Sequence, residues 1–142
     1  MTRSALFLGL ALLFPFSAAQ AGDLVVEVSG LRNAKGSLAL CVTADPKGFP
    51  GCKKGDTQRV VPAAKARQPI TFKNLPAGTY ALAVIHDENN NGKLDQNLVG
   101  IPKEGIAVSN NAVPKFSAPK FKAAGFTVGK QRVTQTVRMA YW

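Results

Sequence analysis

Only one histidine and two cysteines occur among the 142 residues. A transition-metal centre built from imidazole and thiolate needs more such ligands than that, so this chemistry is excluded on numbers. The C-x-x-C spacing of a redox pair is also missing. Acidic residues are scarce, 8 Asp and Glu against 18 Lys and Arg. Helical periodicity is almost absent and no segment recurs at a fixed period. Past residue 21, no apolar run approaches the roughly 20 residues that a helical bilayer crossing needs. The basic residues are scattered, Lys53-Lys54 being the sole adjacent pair. Nothing has the form of a basic helix or an RNA-binding aromatic signature, so specific nucleic-acid binding is not expected.

What is present begins with a leader. Arg3, the apolar run over residues 5–16 and Ala19-Gln20-Ala21 together read as a cleavable secretory signal peptide over residues 1–21. The alternative is an uncleaved N-terminal anchor. No cysteine follows the cleavage point, so bacterial-type lipidation is not indicated. The mature chain would be residues 22–142, 121 residues forming one monomeric domain, periplasmic or extracellular. Loss of Arg3 takes the basic residues from 18 to 17 against 8 acidic, a net charge of +9. That charge favours anionic partners such as lipid headgroups or acidic polysaccharide; the bland reading is a solubilising surface.

Cys41 and Cys52 suit an oxidising compartment and predict a structural disulfide across a loop holding Pro46, Gly48, Pro50 and Gly51. Around that loop the chain reads as strands. Residues 23–29 and 37–43 alternate, with Leu24, Val26 and Val28 on one face of the first and Leu38, Leu40 and Val42 on one face of the second. Cys41 then faces the other way. Residues 57–61 predict a short strand ended by Pro62, residues 63–67 at most a helical turn, and residues 68–73 a strand followed by a turn over 74–78. Residues 79–85 are apolar on both faces and predict a central strand. A strand beginning at residues 125–128 and a long closing strand over 131–141 complete the set. Gln135 breaks the apolar face of the last. Phe116, Phe121 and Phe126 recur every five residues, which fits neither strand nor helix; they predict rings plugging a core from an irregular segment, with ligand stacking as the alternative. Short strands and turn-rich links predict an all-β fold, a single antiparallel β-sandwich of immunoglobulin-like or prealbumin-like kind.

The stretch from His86 to Asn97 stands apart. Asp87, Asn89 and Asn91 alternate, Gly92 follows, and Asp95 comes four residues after Asn91. Against a calcium loop these fall at positions 1, 3, 5, 6 and 9, with Lys93 offering its carbonyl at position 7. Position 12 is Leu98, so the bidentate glutamate is missing; Glu104 is the residue expected to fold back in its place. The candidate calcium set is therefore Asp87, Asn89, Asn91, Lys93, Asp95 and Glu104. Few formal charges imply weak affinity, with Kd about 10⁻⁴–10⁻³ M. The competing reading is a metal-free loop of Asx turns. His86 continues the inward face of its strand. As a general base it needs an orienting carboxylate, Asp87 or Glu104, and an open cleft; otherwise it is a packed core histidine. Ser109-Asn110-Asn111 and Lys103-Glu104-Gly105 are expected to dock near the oxygen-rich loop at one end of the sandwich.

Taken in order, Asn74-Leu75-Pro76-Ala77-Gly78-Thr79-Tyr80-Ala81, His86-Asp87-Glu88-Asn89, Asn91-Gly92-Lys93-Leu94-Asp95, Gly100-Ile101-Pro102-Lys103-Glu104-Gly105 and Ser109-Asn110-Asn111-Ala112 resemble domain-of-unknown-function family 2141, exported bacterial proteins, across residues 23–141. The Leu-Pro-Ala-Gly-Thr-Tyr turn by itself also looks like prealbumin-like or Cna-B-like modules. The resemblance implies a small exported β-sandwich and carries no established activity or catalytic residue. Three functional readings stay open. One is a binding or structural module ordered by calcium, meeting an envelope component, a glycan or another protein. The others are a hydrolase using His86 and an electrostatic binder of anionic envelope surfaces.

Overall fold

A computed structural model describes residues 20–142. The leader expected over residues 1–21 falls almost wholly outside them. Eight strands form: β1 (Ala21–Ser29), β2 (Ser37–Thr43), β3 (Thr57–Pro62), β4 (Ile70–Pro76), β5 (Gly78–Asp87), β6 (Gly105–Val108), β7 (Phe126–Val128) and β8 (Val133–Arg138). A one-turn helix, α1 (Phe121–Ala124), and two 3-10 turns, Ala63–Lys65 and Ser109–Asn111, complete the regular structure.

The strands make two sheets. One runs β4-β1-β8; the other runs β3-β2-β5-β6, with β7 pairing the first residues of β5. Leu24 and Val26 of β1, Phe72 of β4 and Val137 of β8 face Leu38, Leu40 and Val42 of β2 and Leu82 and Val84 of β5 across one shared core. This is the expected β-sandwich. Every strand pair is antiparallel except β1–β8, which runs parallel from Leu24↔Val133 to Ser29↔Arg138. A parallel pair needs a long connection, and here nearly the whole domain supplies it.

β5 is central, as its two apolar faces predict. Its second face carries Ala81 and Ala83, covered by Phe49 of the disulfide loop, Val108 of β6 and Ala124 of α1. Cys41 lies beside Ala83 on that face and is bonded to Cys52. The expected turn over residues 74–78 is shorter than the sequence suggests. β4 continues to Pro76, because Asn74 adopts φ 56° and lets Leu75 return to the core after Ile70 and Phe72. The matching register shift lies between Gly22 and Leu24. Residues 105–108, where the sequence predicts no strand, form edge strand β6. The closing strand ends at Arg138, and Ala140 then bridges to Ile106, joining the two sheets along that side.

The three phenylalanines divide. Phe126 is buried in the main core, Phe121 packs partly against Phe49 at the cover of the second sheet, and Phe116 is 96% exposed. The core-plugging expectation therefore fails for Phe116.

Candidate functional site

β5 runs two residues beyond its predicted end, carrying His86 and Asp87 into the sheet before the chain turns out into the oxygen-rich loop. Gly36 fixes that exit. Its φ is +68°, and a Cβ there would lie 2.0 Å from the carbonyl oxygen of Asp87, so only glycine allows the approach.

Asp87 is 5% exposed and organises the loop. Its Oδ1 accepts the Asn91 amide at 3.1 Å and its Oδ2 the Gly92 amide at 2.7 Å. Asn89 Oδ1 accepts the same Asn91 amide at 3.1 Å, and Asn91 Oδ1 accepts the Lys93 amide at 2.9 Å. The side-chain amides of Asn89 and Asn91 donate to Asp95 at 2.7 and 3.0 Å. These bonds, from Asn91 first and then Asn89, hold the Asp95 carboxyl below the ordinary aspartate range, helped by the charges of Lys103 and Lys93. Asp87, Asn89, Asn91 and Asp95 are thus tied into one cluster.

Glu104 folds back onto the same loop. It is 4% exposed, and its two oxygens accept the amides of Glu88 and Asp95, each at 3.0 Å. The carboxylates of Asp87, Asp95 and Glu104 do not gather within 4.8 Å of one another as a trio. Among the described residues the one such set of Cys, His or acidic groups is Cys41, Cys52 and Asp56, and both its sulfurs are spent in the disulfide. Between Asp95 and Glu104 the chain makes a small hairpin. Lys103 donates to the Asp95 carbonyl, Asn97 to the Ile101 carbonyl, and Asn97 Oδ1 accepts the amides of Val99 and Ile101.

His86 is fully buried. Its Nε2 lies 2.8 Å from the Lys35 carbonyl oxygen, which can only accept, so the ring hydrogen sits on Nε2. Nδ1 then accepts the Tyr141 hydroxyl at 2.8 Å. Burial pushes the Tyr141 phenol above its ordinary range. The hydrolase reading required a carboxylate partner and an open cleft. His86 has neither, because β2 and the C-terminal segment cover the end of β5, and both its nitrogens are engaged. Ser109 offers no replacement nucleophile: it too is fully buried, its Oγ accepting the Leu82 amide and donating to the Ala124 carbonyl. Asn110 and Asn111 are ties between segments. Asn110 donates to the carbonyls of Ala123 and Gly125 and exchanges bonds with Gln135, and Asn111 accepts the Arg138 amide. That exchange explains a glutamine on the inner face of β8.

Sequence reasoning passed over a brace beside the loop. Arg32 donates to Glu88 at 2.8 Å and to the Lys103 carbonyl at 2.9 Å, and its guanidinium carbon stands 4.6 Å from the centre of the Tyr141 ring. Asn33 donates to the other Glu88 oxygen at 2.8 Å. Burial opposes ionisation of Glu88, but the bonds from Asn33 and Arg32 outweigh it and hold the carboxyl below its usual range. The signal was the acid at position 88 beside the Asp/Asn alternation, with no partner identifiable until the β1–β2 turn was placed against it. Among the described residues, no buried side-chain nitrogen or oxygen lacks a partner.

Two facing β-sheets with a polar, internally bonded loop at one end define the class: an all-β sandwich module. The family described as an uncharacterized protein conserved in bacteria, DUF2141, matches residues 26–136, more than three quarters of the chain, and the protein belongs to it. No curated protein and no solved structure matches.

Proposed function

We propose that this is an exported β-sandwich binding module whose end loop is ordered by a calcium ion. The observation that carries this reading is the return of Glu104, seventeen residues after Asp87, onto the loop that Asp87 begins. It brings a buried carboxylate to a loop otherwise rich in neutral amide oxygens. Asp87, Asn89, Asn91, Asp95, Glu104 and the Lys93 carbonyl supply hard oxygen donors, the type calcium takes. The Asp87 bonds to the fifth and sixth residues of the loop keep it curled, and an ion would draw the oxygens of Asp87 and Glu104 inward from the backbone amides they now accept. The ion would hold the end loops in shape for contact with an envelope component, a glycan or another protein. With Kd about 10⁻⁴–10⁻³ M, calcium at about 10 mM raises stability by roughly 1.4–2.7 kcal/mol. Thermal unfolding in calcium and in excess chelator tests this; identical midpoints would count against the ion.

A second reading is supported by charge. Among the described residues only Lys53–Asp45 and Arg32–Glu88 form ion pairs, which leaves most of the 17 basic side chains of the mature chain unpaired. An electrostatic binder of anionic envelope surfaces would lose affinity steeply with added salt.

A further inference from the structure

We infer that one lateral side of the sandwich, the groove between the residue 95–103 hairpin and the residue 115–119 segment, docks onto an anionic lipid bilayer and inserts its apolar tips there. This rests on the second reading above and names its face and its mode.

The groove encloses about 560 Å³ and is lined by Val99, Ile101, Ile106, Phe116 and Trp142, with Lys115 at its rim. Apolar side chains on its borders are held out into water. Leu98 is 108% exposed relative to a free residue, Phe116 96%, Val99 78% and Trp142 46%. Such exposure costs solubility and marks an interaction surface. It is also built rather than frayed. The hairpin pairs Gln96 with Pro102, and Asn97 closes its tip through Val99 and Ile101, so Leu98 and Val99 project from a fixed turn. Trp142 donates its indole N–H to the Lys115 carbonyl at 3.1 Å, pinning the segment that presents Phe116.

The charge around the tips selects the occupant. Lys93, Lys103, Lys115 and Lys120 each line the groove or adjoin a lining residue, all are exposed, and none is in an ion pair. The acid among them, Asp95, is turned to Asn89 and Asn91. Apolar tips with unpaired lysines on the same segments match a bilayer surface, where the tips reach the acyl boundary and the ammonium groups meet lipid phosphates. A second copy of this chain is a poorer fit, because it would set these lysines against their own counterparts on molecules of net charge about +9.

Trp142 is the only tryptophan, so its fluorescence reports the groove directly. The protein is mixed with vesicles of phosphatidylcholine alone, or of phosphatidylcholine with phosphatidylglycerol, in calcium and in chelator. The expected result is co-sedimentation with the anionic vesicles, a blue shift of Trp142 emission, and loss of both in high salt. L98S and F116S each weaken binding about tenfold. K103Q and K115Q weaken it about fivefold each, while K73Q, on β4 at the opposite side of the sandwich, leaves it unchanged. Far-UV circular dichroism confirms that each variant is folded. Co-sedimentation without a blue shift overturns the proposal while sparing the electrostatic reading; no binding at all overturns both. Self-association that shifts Trp142 emission without lipid overturns it in favour of a second copy. Calcium dependence is read separately by comparing the chelator arm, so loss of the ion site does not mimic loss of docking.

Discussion

Replacing Glu104 by glutamine separates what holds the end loop together from what would bind an ion. The carboxylate is 4% exposed and accepts two backbone amides, those of Glu88 and Asp95, each at 3.0 Å. A hydrogen bond to a charged group contributes about 1.5–3 kcal/mol net, and a buried amide left without an acceptor costs about 1–3 kcal/mol. Glutamine keeps one acceptor oxygen and turns an NH2 toward the second amide. One charged bond is therefore weakened and one donor is stranded, a loss of about 2–3 kcal/mol. For a domain of this size each kcal/mol moves the midpoint by about 4 °C, so E104Q should melt about 8–12 °C below the wild type. The assay is thermal unfolding followed by far-UV circular dichroism, in chelator so that no cation contributes. A drop of less than about 2 °C would refute the claim that these two bonds fix the loop. The same variant in calcium then addresses the ion. If Glu104 is a ligand, the calcium-induced rise seen in the wild type disappears in E104Q.

Three further outcomes follow from the same geometry. Y141F deletes the donor to His86 Nδ1 and leaves a buried acceptor unpaired, so urea unfolding should show a loss of about 1–3 kcal/mol; in the wild type, phenolate absorbance should show one of the two tyrosines titrating later than its ordinary value. Reduction of Cys41–Cys52, which spans 11 positions, should lower stability by about 2–3 kcal/mol, read as a shift in urea midpoint with and without reductant. Glu88 ionises more readily folded than unfolded, so its contribution is present above about pH 4.3 and is lost as the pH falls through the lowered folded value. The stability gap between wild type and E88Q should accordingly be open at neutral pH and close in acid; a gap constant across that range would refute the Arg32–Glu88–Asn33 brace.

The sequence alone determined seven of the eight strands, the central place of β5, the Cys41–Cys52 bond and the cluster of Asp87, Asn89, Asn91 and Asp95. All four are local or nearly so: alternation, two apolar faces on one segment, a lone cysteine pair, and side chains within nine positions that reach one another by turning back on a glycine. Tertiary structure decided the remainder, because it depends on which distant segments meet. His86 looked the same to sequence whether its partner was a carboxylate or a phenol; Tyr141 reaches it only because β8 runs parallel to β1 and delivers the C-terminus to the end of β5. Gln135 broke an apolar pattern until Asn110 was placed opposite it. Phe116 and Phe126 have the same side chain, yet Phe126 pairs with Tyr80 and enters the core while Phe116, on a segment with no strand to join, is left in water beside Trp142.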